Sequence, residues 1–237
     1  LSIFHNILKY AKGSSRMSKR KSDEAYGELR RRIMLAELPP NSLLDEKVLQ
    51  MSLGCGRTPL REAILRLAQE GLVMSMGRRG YAVAGATPED LQRGYELRRE
   101  LECFIAGLAA ERRTRDDLER MDAFLANVQV EMESNAGNVT WELAIDEQFH
   151  SLIARASGNQ FAERYLYSLY GLSVRSLYVS QVPITFVREE FSTYRLVIES
   201  IRMRDSTAAR DGMSAHLTVS PIKAIAQKGL RDKAKVS

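Results

Sequence analysis

Apolar residues recur at helical spacing from about Asp23, with Tyr26, Leu29, Ile33 and Met34 on one face. The pattern stops at Leu38-Pro39-Pro40-Asn41, where proline cannot continue a helix. A short helix is predicted from Asp45 to Leu53, with Gly54 ending it. Thr58 then stands as an N-cap and Pro59 as the first residue of a helix running to Glu70. Leu60, Ala63, Ile64, Leu67 and Ala68 form its buried face, and Gly71 closes it. Leu72-Val73-Met74 and Tyr81-Ala82-Val83 read as short strands around the basic turn Gly77-Arg78-Arg79-Gly80.

From Leu91 onward the periodicity is almost wholly helical. It predicts helices over 89–112, 115–134, 138–156, 159–179, 187–204 and 206–218, broken at Asn135-Ala136-Gly137, Ser157-Gly158-Asn159 and Val182-Pro183. The fold class is therefore mainly α: an N-terminal winged helix-turn-helix of α+β type, then an all-α helical bundle. Residues 1–17 read as a flexible arm or extension, 18–85 as the first domain and 86–90 as a linker. Residues 91–220 form the bundle and 221–237 a basic tail.

Charge sharpens this division. Residues 18–85 carry a net +4 and residues 86–220 a net −6, within a chain of net +5. A basic first half on an acidic second half suits a protein that meets phosphate with one half only. No apolar run reaches the roughly 18 residues a membrane crossing needs. Leu1–Tyr10 is mildly apolar but contains His5, Asn6 and Lys9 and lacks a small-residue cleavage site, so it reads poorly as a signal peptide. Cys55 and Cys103 are far apart in sequence and read as reduced thiols of a cytoplasmic protein.

Two helices joined by a tight turn, the second opening on basic residues, form the helix-turn-helix layout. The second helix of such a pair enters the major groove. Arg57, Thr58 and Arg61 fall in its first turn, where guanidinium groups suit guanine edges or phosphate and a hydroxyl suits a phosphate oxygen. Lys47 lies on the preceding helix, and Arg78, Arg79 and Gly80 form the wing tip. The segments Tyr26-x-x-Leu29-Arg30, Leu38-Pro39-Pro40, Gly54-Cys55-Gly56-Arg57-Thr58-Pro59-Leu60-Arg61-Glu62-Ala63-Ile64, Glu70-Gly71-Leu72-Val73 and Gly80-Tyr81-x-Val83 together resemble the N-terminal domain of the GntR family of bacterial regulators. The resemblance implies DNA contacts at Lys47, Arg57, Arg61, Arg79 and Gly80. The sequence departs from the family at Gly56, where Ser or Thr is usual, and at Asn41, where Gly is commoner after proline.

In the second half, Asp146 and His150 are four residues apart and share a helix face with Leu143 and Ile153. His216 shares another inward face with Ala209 and Met213. Spacing leaves two readings open: a carboxylate–imidazole hydrogen bond beside a core histidine, or part of a metal site. Arg98 shares its face with Gly94, Leu101, Ile105 and Leu108 and so points inward, where it needs an anionic partner. That partner is an internal carboxylate or a small organic acid, and Arg175 is a second candidate of the same kind.

Leu97-Arg98-Arg99-Glu100-Leu101-Glu102, Asp146-x-x-Phe149-His150, Ala156-Ser157-Gly158-Asn159 and Asp205-x-x-x-Ala209-x-x-x-Met213-x-x-His216-Leu217 resemble the helical ligand-binding (FCD-type) domain of the FadR subfamily. That resemblance implies one divalent metal, zinc, nickel or similar, held by one Asp and three His. Asp146, His150 and His216 match three of those positions, and Tyr194 stands at the fourth. Tyr194 is expected to hydrogen-bond an effector or water instead. The whole reading is a homodimeric regulator, a repressor sooner than an activator and not an enzyme. It would bind double-stranded operator DNA and respond to a small carboxylate. The alternatives are a metal-dependent hydrolase and a protein-interaction module with a basic head.

Overall fold

The computed structural model describes residues 21–85, 87–179 and 187–219. The expected arm, the Val182-Pro183 break and the basic tail lie outside these residues. Helix α1 (Lys21–Met34) buries Tyr26, Leu29, Ile33 and Met34, the face set by the apolar spacing. Past its end the chain turns through Ala36 (φ 51°) before the two prolines. Asn41 then takes φ 65°, a conformation Asn tolerates better than most residues, which accounts for its standing where glycine is commoner.

Helix α2 (Glu46–Leu53) is capped by Asp45, whose carboxylate accepts the N–H groups of Lys47 and Val48. It ends at Gly54 in the left-handed region, as the sequence predicts. Helix α3 (Arg57–Gln69) begins two residues earlier than expected. Gly56, not Thr58, is its N-cap, and no side chain caps it. Pro59 still fits the first turn, because the N–H it lacks has no intrahelical acceptor there. Strands β1 (Val73–Ser75) and β2 (Tyr81–Val83) pair antiparallel, Val73 opposite Val83 and Ser75 opposite Tyr81. Leu44 N–H donates to the Tyr81 carbonyl at 2.8 Å and Val83 N–H to the Ser42 carbonyl at 2.9 Å, tying the loop after α1 to the wing.

The body is helical throughout the described residues. Helix α4 (Pro88–Arg112) opens on a reciprocal cap between Thr87 and Asp90, and α5 (Arg115–Glu131) on one between Thr114 and Asp117. Asn138 caps α6 (Val139–Ala156) through Trp141 N–H. Helices α7 (Gln160–Val179), α8 (Val187–Arg202) and α9 (Ser206–Val219) complete it. Helix α8 stops short of the expected 204, where Arg204 adopts φ 58°.

Helix α6 is buried on nearly every side from Trp141 to His150, so it is the central helix of the body. Its polar residues Glu142, Asp146, Glu147 and His150 therefore lie inside, where each must find a partner. The two halves are docked: Met34 of the head joins the body core, and Leu172 of α7 packs against the head core. Among the described residues no helix is long and apolar enough to cross a membrane.

Candidate DNA-reading head and sensing site

The first five residues of α3 include Arg57, Thr58 and Arg61, all exposed, and Lys47 is exposed on α2. Both arginines gather at Glu46. Arg61 donates Nε to Glu46 Oε2 at 3.1 Å and Nη2 to Oε1 at 3.3 Å, and Arg57 Nε stands 3.9 Å from Oε2. A bidentate carboxylate of this kind fixes the guanidinium plane. Exposed as these side chains are, the pairing orients them more than it stabilises the fold. The wing tip, Gly77–Arg79, forms one 3-10 turn, with Arg78 and Arg79 exposed. Gly80 holds φ 89° and ψ −130°, a conformation essentially closed to residues with a Cβ.

The body brings Asp146, His150, His216, Arg98 and Tyr194 into one buried cluster. His150 Nε2 lies 3.3 Å from Asp146 Oδ1 and 3.3 Å from His216 Nε2. Both imidazoles are held from behind. Glu102 pairs with His150 Nδ1 and is an acceptor, so that nitrogen carries a proton. The Thr193 hydroxyl donates to the Glu190 carbonyl at 2.6 Å, so its oxygen accepts from His216 Nδ1 at 3.0 Å. Each ring therefore turns its Nε2 toward Asp146, the tautomer that backing partners impose on metal-binding histidines.

One ligand atom from each of Asp146, His150 and His216 lies within 4.8 Å of the other two, a grouping that could hold a metal ion. The two separations at His150 Nε2, 3.3 Å each, are close to the edge, about 3.4 Å, of a tetrahedron with bonds near 2.1 Å. A buried carboxylate facing two imidazoles needs positive charge beside it. Arg98 lies against the cluster, donating Nε to Glu102 and placing Nη2 2.8 Å from His150 Nε2. Among the described residues its Nη1 has no partner.

Ionisation follows from the same packing. Burial opposes charge on His150, but Glu102 and Asp146 outweigh it and lift its pKa to about 9. Burial and the neighbouring His150 push His216 down to about 3, so it stays neutral. Burial also raises Glu190 to about 9, with Asp146 adding to the effect. Tyr194 is raised well above the ordinary tyrosine range by burial, Asp146 and Glu190. Its hydroxyl donates to Glu190 Oε2 at 3.2 Å, which leaves it an unsuitable metal ligand. Its ring packs 4.4 Å from Phe149 and 5.2 Å from His216.

Arg175 does not join this cluster. Its Nη2 donates to the Gly85 carbonyl at 2.6 Å, at the junction of head and body. Sequence reasoning missed Glu46, Glu102, Glu190 and Thr193. Glu102 was within reach, lying one helical turn from Arg98. Glu190 likewise lies one turn from Tyr194, whereas Glu46 and Thr193 depend on how two helices cross, which spacing along one helix does not reveal.

A winged helix-turn-helix head carried on a helical body with a buried cluster of ionisable side chains defines the class: a DNA-binding regulator. Residues 21–83 match the model described as "Bacterial regulatory proteins, gntR family", and residues 93–219 match the FCD domain. The chain belongs to the GntR family of transcriptional regulators, in its FCD-bearing, FadR-like branch. It is similar to the HTH-type transcriptional repressor RspR of Escherichia coli (strain K12), 26% identical over 200 residues covering 83% of this chain and 85% of that protein. It is 30% identical to the HTH-type transcriptional regulator LutR of Bacillus subtilis (strain 168), over 77% of this chain and 91% of that protein. The structure of E. coli McbR/YncC shares the fold with a TM-score of 0.75 at 22% identity, covering 89% of this chain and 99% of that one. These relatives are regulators, not enzymes, which sets aside the hydrolase alternative.

Proposed function

We propose that this regulator is a cytoplasmic homodimeric repressor whose operator binding is set by a small carboxylate in the body. The observation that carries the sensing site is the convergence of Asp146 Oδ1 with two Nε2 atoms, each turned inward by its own backing group. These three residues would hold one divalent ion, zinc or nickel, and such an ion supplies open positions for carboxylate oxygens. Arg98 Nη1 is a buried donor that a second carboxylate oxygen would satisfy. At the head, Arg57 and Arg61 would read base edges, while Lys47, Thr58, Arg78 and Arg79 would contact the backbone and Gly80 would permit close approach. Paired heads about 34 Å apart would fit half-sites one helical turn apart.

Elemental mass spectrometry of the purified chain, wild type beside His216→Ala, tests the site. Metal at one per chain in the wild type and none in the variant is expected. Equal metal in both, or none in either, would remove the metal from this reading.

A further inference from the structure

Arg30 is a charged residue of the DNA-reading head that is buried in the body. It is 3% exposed. Its Nη1 donates to Glu147 Oε1 of α6 at 2.9 Å and its Nη2 to the Tyr167 carbonyl of α7 at 3.1 Å. The guanidinium lies 3.7 Å from the centre of the Tyr167 ring. On its other side, Nε stands 3.6 Å from Glu70 Oε2. Glu70 is the C-cap of α3, the reading helix, and takes a 2.5 Å hydrogen bond from the Tyr26 hydroxyl.

This arrangement links the two functional sites through one side chain. Glu147 follows Asp146 directly and lies one turn from His150 on the same rigid helix. A buried guanidinium can neither shed its charge nor reach water, so losing one carboxylate partner is costly. A shift of α6 that moves Glu147 must therefore carry Arg30 with it or leave the charge stranded. The body surface is shaped for this contact. A side chain at Gly171 would stand 3.3 Å from Arg30 Nη2 and 3.5 Å from Leu72 Cδ1, so glycine lets the head sit flush on α7.

We propose that Arg30 is the positioning residue that transmits the state of the sensing site to the reading helix, through the chain Asp146–Glu147–Arg30–Glu70. The inference rests on the cluster of Asp146, His150 and His216 being that sensing site. Amide hydrogen exchange on the full chain tests it without any ligand, using Asp146→Ala to perturb the site. In the otherwise native protein, Asp146→Ala should speed exchange in α3 by about five-fold or more. In Arg30→Met, and separately in the milder Glu147→Gln, the same substitution should leave α3 nearly unmoved. Exchange in α9, around His216, should respond in every background. An α3 response equal in all backgrounds, with α9 responding, would overturn the role of Arg30. No response in α9 would instead overturn the reading of the site on which the inference rests.

Discussion

His150 and His216 face each other across 3.3 Å yet titrate in opposite senses, and the difference lies in their partners. His150 has two carboxylates beside it, whereas His216 has a hydroxyl behind and a cation in front. The raised His150 contributes stability that is complete below about 6.5, its unfolded value, and is lost as pH climbs through about 9. Glu190, also raised to about 9, adds a loss in the same direction once the unfolded carboxyl ionises. The depressed His216 contributes the reverse, a loss as pH falls from about 6.5 toward 3. Through His150 alone the metal-free protein should thus weaken by roughly 2–3 kcal/mol between about pH 6.5 and 9, and Glu190 deepens the loss. Urea unfolding followed by the fluorescence of Trp141, the sole tryptophan, measures this. Zinc should reverse the slope, because binding at His150 Nε2 displaces a proton. A stability that rises through that range without metal would contradict the proposed charge state.

At the scale of elements, α3 is held by an apolar face and poorly capped. Gly56 has extended backbone and only the Pro59 ring at 3.9 Å near a prospective Cβ, so Gly56→Ser fits. It should add a few tenths of a kcal/mol of stability and tighten operator binding, because the hydroxyl can serve as cap and then phosphate partner. Thermal melts and fluorescence anisotropy would show both effects; a destabilised variant would contradict the observed cap. Glu46 acts across two helices: Glu46→Ala should raise binding to random duplex while lowering preference for the operator, since it frees two arginines that it now orients. At the wing, Arg79→Ala should weaken all duplexes alike and reduce the salt slope by about one. An unchanged slope would remove Arg79 from the phosphate contacts. Most of this architecture was legible in the sequence, because α1 to α9 are amphipathic or capped by local residues such as Asp45 and Thr87. The start of α3 was misplaced because Thr58 and Pro59 imitate a cap that the backbone sets at Gly56. Glu46 and Thr193 were not legible, since each acts on a partner brought near only by helix crossing, whereas Glu190 stood one turn from Tyr194 on the same helix. Arg175 points inward, but toward the carbonyl of Gly85 at the end of the head and not toward the Asp146–His150–His216 cluster.

Across the whole molecule, the basic head and acidic body divide the work, and the buried contact at Arg30 keeps them from being independent. A head tethered only by its linker would bind DNA without regard to the body. A docked head can be biased by any ligand that favours one placement over another. The most direct test selects an operator from random duplexes and then measures affinity for it while zinc is titrated, for wild type and His216→Ala. The account expects a palindromic site with half-sites one helical turn apart and a wild-type affinity that shifts about five-fold or more with zinc, a shift absent in His216→Ala. Wild type and variant responding alike, or neither responding, would contradict the claim that this buried cluster governs the DNA-reading head.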